Sequence, residues 1–258
     1  MHKPIIIVGL GEMAGVFAKG FLRSGYPVYP VTRNIRIEEA ASNYPDPGLV
    51  LLAVAEKDFS STLKTIPEAW QTKLTLLQNE LLPEDWTSHG INNPTVISVW
   101  FEKKKGREVK ILLPSPIFGP KADILSAALA TEEIPTTILS SPTELTNALV
   151  MKNLFVFTIN IAGLAVGGTT GQLLERHRDF AEEVFRDVVA IQESLTHCKL
   201  DGKQLFNSLT KALTADPDHK CRGRSAPDRL RRALETAHRF NIQTPALNKV
   251  LLTCSPDS

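Results

Sequence analysis

The chain has 258 residues, of which 43% are hydrophobic and 22% are charged, and its formal net charge is +1. This composition is typical of one large folded domain or two modest ones, and the near-neutral charge gives no reason to expect nucleic acid or a membrane as a partner. The three cysteines, Cys198, Cys221 and Cys254, lack the spacing of a metal site, so we expect reduced thiols, no metal and a cytoplasmic location.

Short β-rich runs alternate with helical patterns in the first half of the chain. Several runs are apolar without alternation, as expected of parallel strands that are buried on both faces. Between the first two runs, Glu12–Ser24 has helical spacing and ends at Gly25, so this region forms a βαβ unit. We therefore predict a Rossmann domain, a doubly wound parallel sheet, over residues 1–140. The predicted strands are Pro4–Val8, Pro27–Thr32, Leu49–Val54, Leu74–Gln78, Thr95–Trp100, Val109–Leu113 and Thr136–Leu139.

The second half has helical patterns only. Ser141 and Glu144 have the spacing of a capping box, and the helix that they begin is predicted to end near Val166. Further helical patterns cover residues 172–197, 203–215 and 228–240. The longest apolar tract, Leu154 to Val166, is interrupted by Asn160 and is shorter than a usual membrane span. We predict an all-helical domain over residues 141–258 of an α/β protein.

A glycine-rich motif joins the first predicted strand to the first predicted helix. Gly9 permits a tight turn, Gly11 lets the backbone approach a pyrophosphate at the helix N-terminus, and Ala14 lets the helix pack closely on the strand. Because a second strand follows, the motif has the context of a dinucleotide site. The residues predicted to bind the cofactor here are Gly9, Leu10, Gly11, Glu12, Met13 and Ala14.

The end of the second predicted strand indicates which dinucleotide binds. An NAD site usually has Asp or Glu there, whereas this chain has Thr32, Arg33 and Asn34. A guanidinium group pairs well with a 2′-phosphate, which an acidic residue would repel. The alternative is that Arg33 is a solvated loop residue. The sequence favours NADP, with Thr32, Arg33 and Asn34 among its contacts.

In their order and spacing, the motifs resemble those of the ketopantoate reductases. Leu76–Asn79 is similar to the Gln-Asn-Gly segment of that family, and Lys152, Asn160 and Gly171-Gln172 are similar to its Lys…Asn…Gly-Glu segment. The resemblance implies that Asn79 contacts the nicotinamide side of the site, that Lys152 is the general acid and that Asn160 binds substrate. Val54, the last residue of the third predicted strand, and Ala55, which follows it, are also expected to border the cofactor.

The chemistry of 2-keto acid reduction agrees with these roles for Lys152 and Asn160. Hydride delivery to a 2-keto carbon places negative charge on oxygen, which requires a proton donor. Lys152 lies in an otherwise apolar stretch, and Asn160 follows about 80° further around the same predicted helix, so both can border one cleft. Each residue also has a purely structural interpretation. Lys152 would then extend its ammonium group to solvent, and Asn160 would be a buried amide that bonds to the backbone.

The chain departs from the pattern of the family in several places. Val156 replaces a second asparagine, and Glu80 replaces the glycine after the Gln-Asn pair. Ala55 stands where a lysine is common, although Lys57 lies close by. Ser225 occupies the position of the substrate-binding glutamate.

A basic segment surrounds Ser225. Arg222 and Arg224 precede a predicted helix whose Ser225 and Asp228 have capping spacing, so Ser225 is either an N-cap or part of an anion site. We predict that Arg222, Arg224 and Ser225 help to bind the substrate carboxylate.

The predicted function is NADPH-dependent reduction of a 2-keto acid, first of all 2-dehydropantoate to pantoate in pantothenate biosynthesis, by a possible homodimer. Two alternatives remain open from the sequence. One is another β-hydroxyacid dehydrogenase, and the other is a non-catalytic NADP-binding sensor.

Overall fold

The structure is a computed structural model that describes residues 2–254. By its internal contacts the chain divides into two compact units, the first ending at Leu149 and the second beginning at Val150. This division falls inside one continuous helix. The predicted domains, an NADP-binding Rossmann domain over 1–140 and a helical substrate and catalytic domain over 141–258, stay a prediction.

A sheet of seven strands forms the centre of the first unit, in the order β2-β1-β3-β4-β5-β8-β9. All neighbours are parallel except β5 and β8, which are antiparallel, and β6 pairs with β7 in a separate ribbon. The strands of the described residues are β1 (Ile5–Val8), β2 (Val28–Val31), β3 (Leu49–Leu52), β4 (Leu74–Gln78), β5 (Thr95–Ser98), β6 (Phe101–Glu102), β7 (Lys110–Ile111), β8 (Ser115–Phe118) and β9 (Thr136–Ile138). The predicted Rossmann class is confirmed.

One strand of the sheet was not predicted. The segment Ser115–Phe118 contains Pro116, which lacks a backbone N–H and argues against a strand inside a sheet. Here the segment forms β8, which bonds to β5 on one side and to β9 on the other. The run predicted at Val109–Leu113 contains β7, which lies in the ribbon and outside the sheet.

Helices of the first unit cover the sheet. The buried face of the first helix carries Ala14, Phe17 and Phe21, and it ends before Gly25, whose φ of 81° confirms the predicted left-handed cap. On the same side, a Cβ on Gly20 would lie 2.5 Å from the carbonyl oxygen of Ala128, so the two helices in contact need glycine there. The helices are α1 (Glu12–Arg23), α2 (Ile37–Asn43), α3 (Glu56–Leu63), α4 (Glu68–Gln71), α5 (Glu84–Thr87) and α6 (Ala122–Ala130).

The second unit is helical, as predicted. The pattern over residues 172–197 contains two helices, which meet at His177, and a further helix that was not predicted follows Thr244. The helices are α7 (Pro142–Val166), α8 (Thr170–Arg176), α9 (Arg178–Thr196), α10 (Gly202–Ala215), α11 (Ala226–Arg239) and α12 (Pro245–Cys254).

The start of α7 has the predicted capping contacts in a shifted form. Ser141 Oγ accepts a hydrogen bond from Glu144 N at 3.2 Å. The Glu144 carboxylate bonds to the backbone N–H and hydroxyl of Ser140, which lowers its pKa. Because one more residue takes part than in a capping box, the beginning of α7 is fixed by contacts on both sides of Ser141.

The 25 residues of α7 make it long and apolar enough to cross a membrane, by length and composition alone. Within its most apolar window, 78% is buried inside the protein. The helix has the predicted extent, from the capping residues around Ser141 to Val166, and the tract Leu154 to Val166 is only its most apolar part as read from the sequence. Its burial is that of a core helix in a folded unit.

A buried carboxylate attaches α12 to α9. Asp187 Oδ2 accepts hydrogen bonds from the backbone N–H groups of Ala246, at 2.8 Å, and Leu247, at 3.1 Å. These are donors of the first turn of α12, which have no partner inside the helix. Asp187 therefore acts as the cap of a helix that is distant from it in the sequence.

Replacing this cap tests the docking of α12. We expect Asp187→Ala to lower the free energy of unfolding by about 1–2 kcal/mol, because two buried donors lose their acceptor. Urea denaturation followed by circular dichroism measures the change. Glu183→Ala, an exposed position on α9, is the matched control and should change stability little. Equal losses in the two variants would contradict the role of Asp187.

Candidate functional site

The turn between β1 and α1 requires glycine at its first position. Gly9 has a φ of 94°, and its N–H donates to the carbonyl oxygen of Val31 at 3.0 Å. A Cβ here would lie 2.6 Å from the carbonyl oxygen of Ala53. Since left-handed backbone conformation and close approach coincide, any other residue would move β1 away from β3.

The second glycine of the turn leaves space open. Gly11 is the N-cap of α1 and has no side chain to bond to the first-turn N–H groups. A Cβ on Gly11 would meet no atom within 4 Å. The start of α1 therefore presents backbone donors to an open space, which is the arrangement that binds a pyrophosphate.

A cavity of about 970 Å³ lies beside this turn. Its volume is that of a site for a large small-molecule ligand. The Lys57 side chain, which the sequence suggested as a replacement for a missing lysine, is part of its wall. The predicted cofactor residues that line it are Gly9, Leu10, Gly11, Thr32, Arg33, Asn34, Val54 and Ala55.

Arg33 lies at the tip of a tight turn on the wall of this cavity. Thr32 shapes the turn, because its carbonyl and hydroxyl oxygens accept from Ile35 N at 3.0 Å and Asn34 N at 3.3 Å. Arg33 is exposed, and among the described residues it has no ion-pair partner, whereas Arg36 lies near Glu38 at 3.6 Å. The guanidinium group of Arg33 is thus available to an anion.

The other predicted cofactor residues do not line the cavity. Glu12 borders a second cavity of about 840 Å³ beside α1. Ala14 is fully buried against the sheet, where it serves close packing, and Met13 is partly buried against the same core. Asn79 is half-buried and follows β4 directly.

Polar groups that the sequence analysis missed lie at the carboxyl ends of β4 and β5. Gln78 and Ser98 are paired in register, and 1% or less of each side chain is exposed. Neither Gln78 Nε2 nor Ser98 Oγ has a hydrogen-bond partner among the described residues. Polar residues that end strands buried on both faces were the available signal, because ligands of open α/β sheets bind at this edge.

In the second unit, the two predicted catalytic residues are buried on α7. The exposed fraction is 5% for Lys152 and 6% for Asn160. Lys152 Nζ lies 5.6 Å from the ring centroid of Phe155, within the range of a cation–π contact. The purely structural interpretation of Lys152 was a lysine that extends to solvent. Lys152 does not do so in the structure.

Asn160 has a partner that the sequence analysis missed. Arg229 Nη1, on α11, donates to Asn160 Oδ1 at 2.7 Å. A Cβ on Gly223 would lie 3.4 Å from the same oxygen, so the loop before α11 passes directly beside Asn160. Arg222 and Arg224 flank Gly223 and are exposed, which places the predicted basic segment next to Asn160.

The approach of this loop to α7 depends on a second glycine. A Cβ on Gly163 would lie 2.6 Å from Cys221 Cβ. Burial raises the pKa of the Cys221 thiol to about 11, so the group is neutral at physiological pH and acts in packing. Ser225 occupies the N-cap position of α11, but its side chain makes no capping hydrogen bond.

The Gly171-Gln172 pair has a structural role in this chain. Thr169 Oγ1 accepts from Gln172 N, and Gln172 Oε1 accepts from Thr169 N, which together form the capping box of α8. The same segment pairs with the loop before α11 through a bridge between Thr169 and Lys220. This bridge holds the basic loop in place.

The turn can be tested by substitution. We expect Gly9→Ala to lower the free energy of unfolding by about 2 kcal/mol or more, because an L-residue at positive φ is strained and its Cβ meets Ala53. Gly15→Ala is the control, since a Cβ there has open space and alanine favours the helix. Denaturant unfolding of both variants measures the difference. A Gly9→Ala variant as stable as Gly15→Ala would contradict this account.

Comparisons with known proteins agree with the fold. The sequence matches no protein-family model and no curated protein. A 2-dehydropantoate 2-reductase from Methylococcus capsulatus matches in structure with a TM-score of 0.69 and 14% identity, over 98% of this chain and 99% of that chain. D-mandelate dehydrogenase with NADH gives 0.70 at 11% identity over 97% of each chain. A dimeric ketopantoate reductase from Staphylococcus aureus gives 0.68 at 11% identity over 97% of each chain. The chain therefore has the fold of the ketopantoate reductases, and the resemblance predicted from its motifs is confirmed at that level.

Proposed function

We propose that this protein reduces a 2-keto acid to a 2-hydroxy acid with NADPH, and that 2-dehydropantoate is its substrate. The observation that carries the proposal is a buried lysine and a buried asparagine on α7, in a chain whose first unit has an open dinucleotide turn. A solely structural helix has little use for a buried ammonium group, because its desolvation costs several kcal/mol.

The first unit supplies the cofactor site. Gly9 and Gly11 shape the turn that would take the pyrophosphate, and the guanidinium group of Arg33 would pair with a 2′-phosphate. Lys57 adds positive charge to the same cavity wall. The open space at Gly11 and the exposed Arg33 fit the dinucleotide, which supplies the hydride when bound. This assignment selects NADP over NAD.

The second unit supplies the proton and the substrate contacts. Lys152 donates a proton from Nζ to the oxygen on which negative charge develops. Asn160 hydrogen-bonds to the substrate, and Arg222 and Arg224 attract its carboxylate to the neighbouring loop.

A second candidate substrate comes from one of the structural neighbours. D-Mandelate dehydrogenase has the same fold, so 2-keto acids with an aromatic side chain belong in the first panel of substrates.

A homodimer is proposed on the same basis, since one neighbour is a dimeric ketopantoate reductase. The cytoplasmic location, like the absence of membrane and nucleic-acid partners, stays a prediction.

Cofactor choice gives the first test. We expect the wild type to bind NADPH much more tightly than NADH, and Arg33→Asp to abolish or invert that preference, because the aspartate repels the 2′-phosphate. Isothermal titration with both dinucleotides measures the two dissociation constants. Arg36→Asp is the control, because Arg36 lies close by but outside the cavity wall. Equal affinity of the wild type for both dinucleotides would remove the NADP assignment.

The proton donor gives the second test. Lys152→Ala should lower kcat by about 10²–10⁴-fold and leave NADPH affinity nearly unchanged, as expected for the loss of a general acid. Steady-state turnover and NADPH titration measure these effects. Lys152→Met, which keeps the volume of the buried side chain, separates loss of the amine from loss of packing. If either folded variant retains near-normal turnover, Lys152 is not the proton donor.

A further inference from the structure

Asn160 is held by a side chain from another helix of the same unit. Arg229 Nη1 lies 2.7 Å from Asn160 Oδ1, a short distance that is typical of a charge-assisted hydrogen bond. Asn160 is 6% exposed and Arg229 is half-buried, so this bond is partly shielded from solvent. It joins the C-terminal half of α7 to the first turn of α11.

The chemistry of arginine determines how the amide is turned. A guanidinium group has donors only, so the oxygen of the Asn160 amide must face Arg229. The Nδ2 group then points away from Arg229, and the hydrogen bonds of the described residues include none that Nδ2 donates. Asn160 therefore presents two N–H donors for an acceptor.

The surrounding backbone holds Arg229 and Asn160 in place relative to each other. Arg229 lies one turn into α11 and donates its backbone N–H to the Ser225 carbonyl oxygen at 2.9 Å. The loop before α11 is fixed to α7 at Gly163 and passes Asn160 at Gly223, where no side chain intervenes. Because both glycines allow close approach, the distance between the Arg229 backbone and Asn160 is set by main-chain packing.

We propose that Arg229 is a positioning residue, which orients the Asn160 amide so that Nδ2 donates to an oxygen of the substrate. The inference rests on the proposed function and deepens it, because it requires an acceptor such as a keto or carboxylate oxygen at that point of the substrate. Arg229 acts through Asn160 and takes no part in proton transfer.

The kinetic test changes each partner separately. Arg229→Met should raise the KM for the 2-keto acid about tenfold or more, as loss of one charge-assisted hydrogen bond predicts, while kcat and NADPH affinity change little. Arg229→Lys, which restores a donor, should recover part of that loss. Asn160→Asp keeps the pair with Arg229 but removes the donors, so it should raise KM at least as much. Arg231→Met is the control, because Arg231 pairs with Asp228 and Glu235 on the exposed face of α11.

A second measurement does not depend on turnover. The side-chain amide of Asn160, assigned by its loss in Asn160→Asp, should give one sharp pair of proton–nitrogen resonances in the wild type. In Arg229→Met this pair should shift and broaden, since the amide can then turn, and in Arg231→Met it should stay.

The outcomes separate the inference from the proposed function. If no 2-keto acid is reduced by the wild type, the function fails, and the Asn160 resonances alone decide whether Arg229 orients the amide. If Arg229→Met leaves both KM and the resonances unchanged, the positioning role is wrong. A parallel fall in kcat, NADPH affinity and thermal stability would indicate a structural role and would overturn the inference as well.

Discussion

The close approach of β1 to β3 at Gly9 is the constraint on which the first unit depends. Gly9 has a φ of 94°, which turns the chain out of the sheet, and the Ala53 carbonyl oxygen occupies the place that a side chain at Gly9 would need. The turn then delivers Gly11 to the start of α1 with open space above it. A cavity with Arg33 on its wall follows from the same geometry, because β1, β2 and β3 end at one edge of the sheet.

In the second unit, the apolar helix α7 buries several polar side chains, and their desolvation costs free energy. Burying an amide or hydroxyl group without a partner costs about 1–3 kcal/mol on mutational scales, and a charge costs more. Along α7, Asn160 bonds to Arg229, and Asn153 donates to Gln192 at 3.0 Å. Thr158 Oγ1 and Asn153 Oδ1 have no partner among the described residues. Packing alone does not explain so many polar groups on one buried helix, and this agrees with the proposal that Lys152 and Asn160 contact a substrate.

Periodicity and local motifs predicted most of the fold, because they report local structure. The strand and helix around Gly9 and most helices of the second half were recognisable from the spacing of apolar residues and from capping residues. Strand β8 was missed because Pro116 opposes a strand locally and only the tertiary sheet overrides it. At the candidate site, the sequence analysis proposed roles for Lys152, Asn160 and Arg33, but it assigned none to Arg229, Gln78 or Ser98. Arg229 lies far from Asn160 in the sequence and stands among other arginines of α11, so nothing in its local pattern distinguished it. The contact between Arg229 on α11 and Asn160 on α7 depends on tertiary packing, which the local pattern of a single sequence does not predict.

The central claim is that this protein carries out NADPH-dependent reduction of a 2-keto acid. The most direct measurement mixes the purified protein with NADPH and a panel of 2-keto acids, with 2-dehydropantoate first, and follows NADPH absorbance and the hydroxy acid formed. The account predicts that NADPH is consumed in a one-to-one ratio to a 2-hydroxy acid, and far more slowly when NADH replaces it. Tight NADPH binding without oxidation by any acid of the panel would contradict the claim and favour a dinucleotide-binding sensor.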